Sequence, residues 1–125
     1  MRLFVDCDDT LVRWLGEDGQ PLEGQNPYDG GAERWEFNAP LVASVIRFAN
    51  EKRADVVVWS GGGADYACVW VYRLGWGQFV EGWASKDPRL VTTDDVCVDD
   101  APIRTAGRLF SPDEFVALVK VGGRS

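Results

Sequence analysis

The chain contains no histidine. That absence excludes Ser-His-Asp and Cys-His relays, a phosphohistidine intermediate and any His-ligated zinc. Acid–base chemistry here would fall to carboxylates, Lys, Tyr or Cys. Lysine is scarce, occurring only as Lys52, Lys86 and Lys120, and Asp and Glu outnumber Lys and Arg by 20 to 13. A net charge of −7 argues against an extended nucleic-acid-binding surface, which needs clustered cations, but not against gripping one phosphate at a chain end. Cysteine is limited to Cys7, Cys68 and Cys97, an odd number with neither disulfide nor zinc spacing. Buried, reduced thiols in a cytoplasmic protein are the expectation. No apolar run reaches membrane-spanning length, and no secretory leader is visible. Repeats and low-complexity tracts are also missing.

What is present, over 125 residues, suits one domain with a single buried core. The dominant feature is an apolar run, Leu3-Phe4-Val5, that stops abruptly at Asp6-Cys7-Asp8-Asp9-Thr10. Carboxylates so close repel one another unless positive charge offsets them. Residues two apart on an extended chain project to one side, so Asp6 and Asp8 can converge and divide the roles of nucleophile and general acid. An acidic turn after a buried strand is the plainer alternative.

Residues 13–38 read as an irregular flap over that strand end, punctuated by Gly16, Gly19, Pro21, Gly24, Pro27, Gly30 and Gly31 and anchored by Trp14 and Trp35. From Pro40 an apolar stripe, Leu41, Val42, Val45, Ile46, Phe48 and Ala49, predicts a helix capped by Asn38. Asp55 to Trp59 reads as a strand covered on both faces, ending at Ser60-Gly61-Gly62-Gly63 before a helix from Ala64 to about Leu74. Gln78–Glu81 is a weaker strand candidate, Lys86 lies in a turn, and Val96-Cys97-Val98 is another buried strand that stops at Asp99-Asp100. A short strand over Gly107–Phe110 precedes a helix started by Ser111-Pro112-Asp113-Glu114, with Phe115, Leu118 and Val119 turned inward.

Strands alternating with helices predict an α/β fold, a parallel sheet with helices on both faces and a site beyond the strands' carboxyl ends. Three strands end in chemistry: Asp6/Asp8, Ser60 with its glycines, and Asp99/Asp100. Amides of Gly61 to Gly63 could cradle phosphate oxygens, or the glycines could simply form a flexible turn. Lys86 is the one lysine placed near a strand end, with a solvated surface charge as the alternative. Asp99-Asp100 fits a cation, or an acidic cap for a short helix after Pro102.

In this order the four segments resemble the haloacid dehalogenase-like (HAD) superfamily of phosphohydrolases. Its Asp-x-Asp-x-Thr motif stands as Asp6-Cys7-Asp8-Asp9-Thr10, its strand ending in Ser or Thr as Val56 to Ser60, its Lys as Lys86, and its strand ending in an Asp pair as Val96 to Asp100. The resemblance implies a Rossmann-like three-layer sandwich around a central parallel sheet. It makes Asp6 the nucleophile, Asp8 the general acid and then base, and Lys86 the neutraliser of nucleophile and phosphate. Thr10, Ser60 and Gly61 become the phosphoryl-binding residues. Mg²⁺ would sit on the Asp6 carboxylate, the Asp8 backbone carbonyl and Asp99, with Asp100 as ligand or neighbour. A hard cation with oxygen ligands agrees with a carboxylate-rich, histidine-free site. Asp9 departs from the family's usual Gly, and there is no room for a full cap domain. Capless members act on macromolecular ends or protein side chains, or borrow a lid from another subunit. Asn26-Pro27-Tyr28-Asp29 further resembles the 3′-phosphatase domain of phage polynucleotide kinases, which implies a nucleotide or nucleic-acid end as substrate; the kinase's own phosphate loop is missing.

Three other readings compete. A phospho-accepting receiver domain should carry its aspartate at the end of a central strand, whereas the Val56 to Trp59 strand ends in Ser60. A cysteine phosphatase would use Cys7 and Arg13, but Asp8 and Asp9 inside that loop would repel phosphate and thiolate alike. A catalytically idle domain that kept the fold remains the third.

Overall fold

The computed structural model describes residues 1–16, 18–20 and 34–122. In chain order its elements are β1 (Arg2–Asp6), β2 (Val12–Leu15), β3 (Arg34–Phe37), α1 (Ala39–Lys52), β4 (Asp55–Ser60) and α2 (Ala64–Arg73). They are followed by β5 (Gly82–Ser85), a 3₁₀ turn (Pro88–Leu90), β6 (Val96–Val98), β7 (Arg108–Phe110) and α3 (Pro112–Gly122). Five strands form one parallel sheet in the order β5-β4-β1-β6-β7. This is an α/β architecture compatible with a Rossmann-like sandwich. Strand order reverses at β1, whose neighbours are β4 on one side and β6 on the other, and a crevice beyond the carboxyl ends is expected at such a reversal.

Alternation along the strands makes two cores. Leu3 and Val5 of β1, Val56 and Val58 of β4, and Val96 and Val98 of β6 face the larger one. All three helices close it: Leu41, Val45, Phe48 and Ala49 from α1, Ala67, Trp70 and Val71 from α2, Phe115 and Val119 from α3. The opposite face is thinner. Phe4, Trp59 and Cys97 are buried there with Val91, and Ile103 and Leu109 pack against them. The helical layer expected on that side is replaced by the 3₁₀ turn and the stretch after β6, where residues 102–111 form no helix.

The caps explain where helices begin. Asn38 Oδ1 accepts the Leu41 amide at 3.4 Å, and Pro40 fits the first turn of α1, where no amide is needed. At α3, Ser111 Oγ accepts the Glu114 amide at 3.2 Å while Glu114 returns the bond to the Ser111 amide at 3.0 Å, a capping box. α1 stops where Arg53 turns left-handed, φ 52°.

Several expectations need correction. Residues 13–38 are not irregular throughout: β2 and β3 pair antiparallel, Trp14 opposite Trp35, as the foot of a hairpin. The strand expected at Gln78–Glu81 is a turn, and the strand is β5, beginning at Gly82. There, pairing with Val57 to Ser60 decides rather than local propensity. Ile46 and Leu118 do not face inward; they are 37% and 41% exposed, each a turn edge away from the buried stripe of its helix. The central strand is β1, not β4, and it does end in an aspartate. The stretch Asn26-Pro27-Tyr28-Asp29 lies outside the described residues. No helix among the described residues is long and apolar enough to cross a membrane.

Candidate functional site

Every residue singled out from the strand ends lies at the carboxyl edge of the sheet, because parallel strands deliver all their C-termini to one side. Asp6 closes β1 and Asp99 follows β6, the strands that flank the reversal. Ser60 closes β4 and pairs in register with Ser85, so Lys86 is the first residue beyond the edge strand. The Lys86 amide donates to Ser60 O at 2.8 Å, which folds the segment over the end of β4 and toward β1.

That fold brings Lys86 Nζ to 3.0 Å from Asp6 Oδ1 and 2.7 Å from Asp99 Oδ2. Asp6 is 5% exposed and Asp99 2%. Burial works against the ammonium of Lys86, but Asp6 and Asp99 outweigh it and hold its pKa above the usual lysine value. Asp6 goes the other way. Burial first, then the charge of Asp99, push its carboxyl up to about 8 despite Lys86. One ammonium, that of Lys86, stands between the buried carboxylates of Asp6 and Asp99.

A cation fits the remainder. Asp6, Asp99 and Asp100 each offer an oxygen within 4.8 Å of the others. Asp99 Oδ2 is shielded from water, and the Lys86 ammonium is the positive group beside it. Three carboxylates gathered around one ammonium leave room for further positive charge, and an all-oxygen set suits a hard cation. The other Asp99 oxygen accepts the Ala101 amide at 3.0 Å, which fixes the carboxylate's orientation.

Thr10 is fully buried, and its hydroxyl donates to Asp6 Oδ2 at 3.3 Å. Ser60 is also buried, its Oγ accepting the Gly62 amide at 3.0 Å, while the Gly63 amide turns back to Ser60 O at 3.1 Å. Two of the three glycine amides expected to cradle phosphate are thus spent on Ser60. Gly61 is exposed. The Ala64 amide, at the start of α2, goes to Ser85 Oγ at 3.2 Å.

Asp8 stands apart from the other carboxylates. Its side chain is outside the Asp6/Asp99/Asp100 cluster, and its Oδ1 accepts Trp14 Nε1–H at 2.9 Å and the Tyr66 hydroxyl at 2.6 Å. Sequence reasoning missed both donors. Trp14 was legible only as a packing anchor, and Tyr66 as a residue of the first turn of α2. The alternation of aromatic and charged residues in Arg34-Trp35-Glu36-Phe37 was the available signal for a strand that would fix Trp14 in place.

Cys7 is buried, its thiol donating to Trp59 O at 3.5 Å. Burial, reinforced by Asp6 and Asp8, raises its pKa far above the ordinary thiol value, which works against the thiolate a nucleophile needs. Compared with protein-family models, with curated proteins and with solved structures, the chain matches none.

Proposed function

We propose that this chain is a Mg²⁺-dependent phosphomonoester hydrolase of the HAD type, lacking a full cap, that works through an aspartyl-phosphate on Asp6. The observation that carries the reading is the convergence of Asp6, Lys86 and Asp99 at the reversal of strand order, with Asp8 held out of the cluster by its own donors.

In the first half-reaction an oxygen of Asp6 bonds to phosphorus as the ester P–O bond breaks, and the departing oxygen takes a proton from Asp8. In the second, Asp8 takes a proton from water, the water oxygen bonds to phosphorus, and the Asp6–phosphorus bond breaks to release phosphate, which restores Asp6 as a carboxylate and Asp8 as the protonated acid. Lys86 offsets the charge of Asp6 and of the phosphoryl oxygens, and Thr10 orients Asp6. Asp6, Asp99 and Asp100, with the Asp8 carbonyl, would hold Mg²⁺, which when bound would supply further charge neutralisation at the phosphoryl group. The chemistry needs mostly positioning and electrostatics, which a rigid sheet edge provides. A phospho-accepting receiver domain would share the acceptor aspartate and the lysine. It would have no use for a second acid clamped by two donors, and that favours hydrolysis. The substrate class proposed is a nucleotide or a polynucleotide 3′-phosphate; the excess of acidic residues restricts any nucleic-acid contact to the terminus.

Phosphate release from p-nitrophenyl phosphate and from a 3′-phosphorylated oligonucleotide, with Mg²⁺ or EDTA, tests the reading. Mg²⁺-dependent release that vanishes in Asp6→Asn is expected. Release from the small ester alone would move the substrate class to small metabolites or protein side chains. Activity surviving Asp6→Asn would overturn the nucleophile, and no release by a folded, Mg²⁺-binding protein would favour an idle binding domain.

A further inference from the structure

Asp8 Oδ1 is held by two donors from elements that are not neighbours in sequence. Trp14 belongs to β2, at the foot of the hairpin; Tyr66 belongs to α2, which packs on the sheet. Both donors bind the same oxygen, Oδ1, so on the hydrolase reading proton transfer falls to Oδ2. Charge-assisted hydrogen bonds of this kind are among the stronger ones, and two from different directions leave the carboxyl group little rotational freedom.

The donors are themselves braced by one residue. The ring of Trp70, 1% exposed, meets Trp14 edge-on with centroids 5.9 Å apart and Tyr66 edge-on at 6.3 Å. Trp35 and Phe37 of β3 pack against the same ring at 4.9 and 6.1 Å, and the Arg73 guanidinium lies 4.6 Å from its centre. The hairpin is thus docked on α2 through Trp70, and the docking is what delivers Trp14 Nε1 to Asp8.

We propose that Trp14 and Tyr66 are positioning residues for Asp8, a clamp that fixes the acid–base carboxyl and makes its alignment depend on the seating of the hairpin. The proposal rests on the hydrolase reading above. A general acid matters most when the leaving group is a poor one, because a stable leaving anion needs no proton as it departs. Loss of the clamp therefore has a signature that general loosening of the fold lacks: the cost grows with leaving-group pKa.

The experiment is a series of phosphate monoesters, from p-nitrophenyl phosphate to alkyl phosphates, hydrolysed by the Mg²⁺-loaded wild type and by Tyr66→Phe, Trp14→Phe and Asp8→Asn. Each clamp variant is expected to lose roughly tenfold in kcat on alkyl esters, with much less loss on p-nitrophenyl phosphate. KM should change by no more than about twofold, since the clamp acts on the transition state and not on binding. A plot of log kcat/KM against leaving-group pKa should steepen in both, and most in Asp8→Asn. Equal losses on every ester, with the slope unchanged, would overturn the clamp and leave a structural role.

A second readout needs no turnover. The Trp14 indole N–H resonance of ¹⁵N-labelled protein should shift in Asp8→Ala. An active enzyme whose indole resonance ignores Asp8→Ala would overturn the clamp alone. A wild type that hydrolyses no ester, with the resonance shift intact, would overturn the hydrolase reading and the catalytic role with it.

Discussion

The ammonium of Lys86 lies 2.7 Å from Asp99 Oδ2, an oxygen shut off from water. Lys86 therefore holds down the repulsion between two buried carboxylates at the ends of adjacent strands. Lys86→Met should destabilise the fold by about 3 kcal/mol at neutral pH, because it strands buried charge without a partner. Urea denaturation without divalent cation is the measurement. The double variant Lys86→Met/Asp99→Asn, with one charge fewer, should regain part of the loss; no recovery would mean that Lys86 acts through its packing.

Gly107 illustrates a steric limit. A Cβ there would fall 2.6 Å from the carbonyl oxygen of Asp95 and 2.7 Å from Val91 Cγ1, and neither can yield without moving the approach to β6. Gly107→Ala should cost about 2–3 kcal/mol, read as a lower urea midpoint at unchanged slope. Gly82→Ala, whose Cβ would meet nothing within 4 Å, serves as the control and should be close to neutral.

Arg53 closes α1 at φ 52°, a conformation that costs an L-residue but not glycine. Arg53→Gly should raise stability by about 0.5–1 kcal/mol after allowing for glycine's greater freedom in the unfolded chain. A thermal melt in which Tm falls would contradict this.

Asp95 ties the amino end of β1 to the approach to β6. Its carboxylate accepts the Arg2 amide at 2.8 Å, the Thr92 amide at 2.9 Å, the Thr92 hydroxyl at 3.0 Å and the Arg2 guanidinium at 3.0 Å. Burial alone would raise its pKa, but these donors prevail and lower it to about 2. A depressed carboxylate stabilises the fold above its unfolded value of 3.8, and that contribution disappears as pH falls through about 2. Asp95→Asn should be less stable than wild type at pH 7, with the gap narrowing between pH 4 and 2. A constant gap would show that the charge is immaterial.

Much of the sheet could be read in advance because its strands are short apolar runs cut off by carboxylates or glycines. Leu3 to Val5, Val56 to Trp59 and Val96 to Val98 all became strands, and the caps at Asn38 and Ser111 formed. What stayed hidden depends on pairing at a distance. β2 and β3 are four residues each, and Gly and Pro between them mask the hairpin; β5 owes its position to β4. In the candidate site, Asp6, Lys86 and Asp99 were legible by type and spacing. The fold-back of the Gly62 and Gly63 amides onto Ser60 was not, and neither was the meeting of Trp14 and Tyr66 on Asp8, since both arise from tertiary docking.

The position of β1 has a consequence in time. The strand is made early in the chain, yet Arg2 pairs with Asp55 and Leu3 with Val96, so neither flank exists until much later residues have been synthesised. Such long-range closure is slow compared with local helix formation. Until β6 arrives, Asp6 has no Asp99 to repel it and does not share Lys86 with a second carboxylate. The acidic pocket forms in the step that seals the sheet, and no shorter portion of this chain that ends before Asp99 contains it.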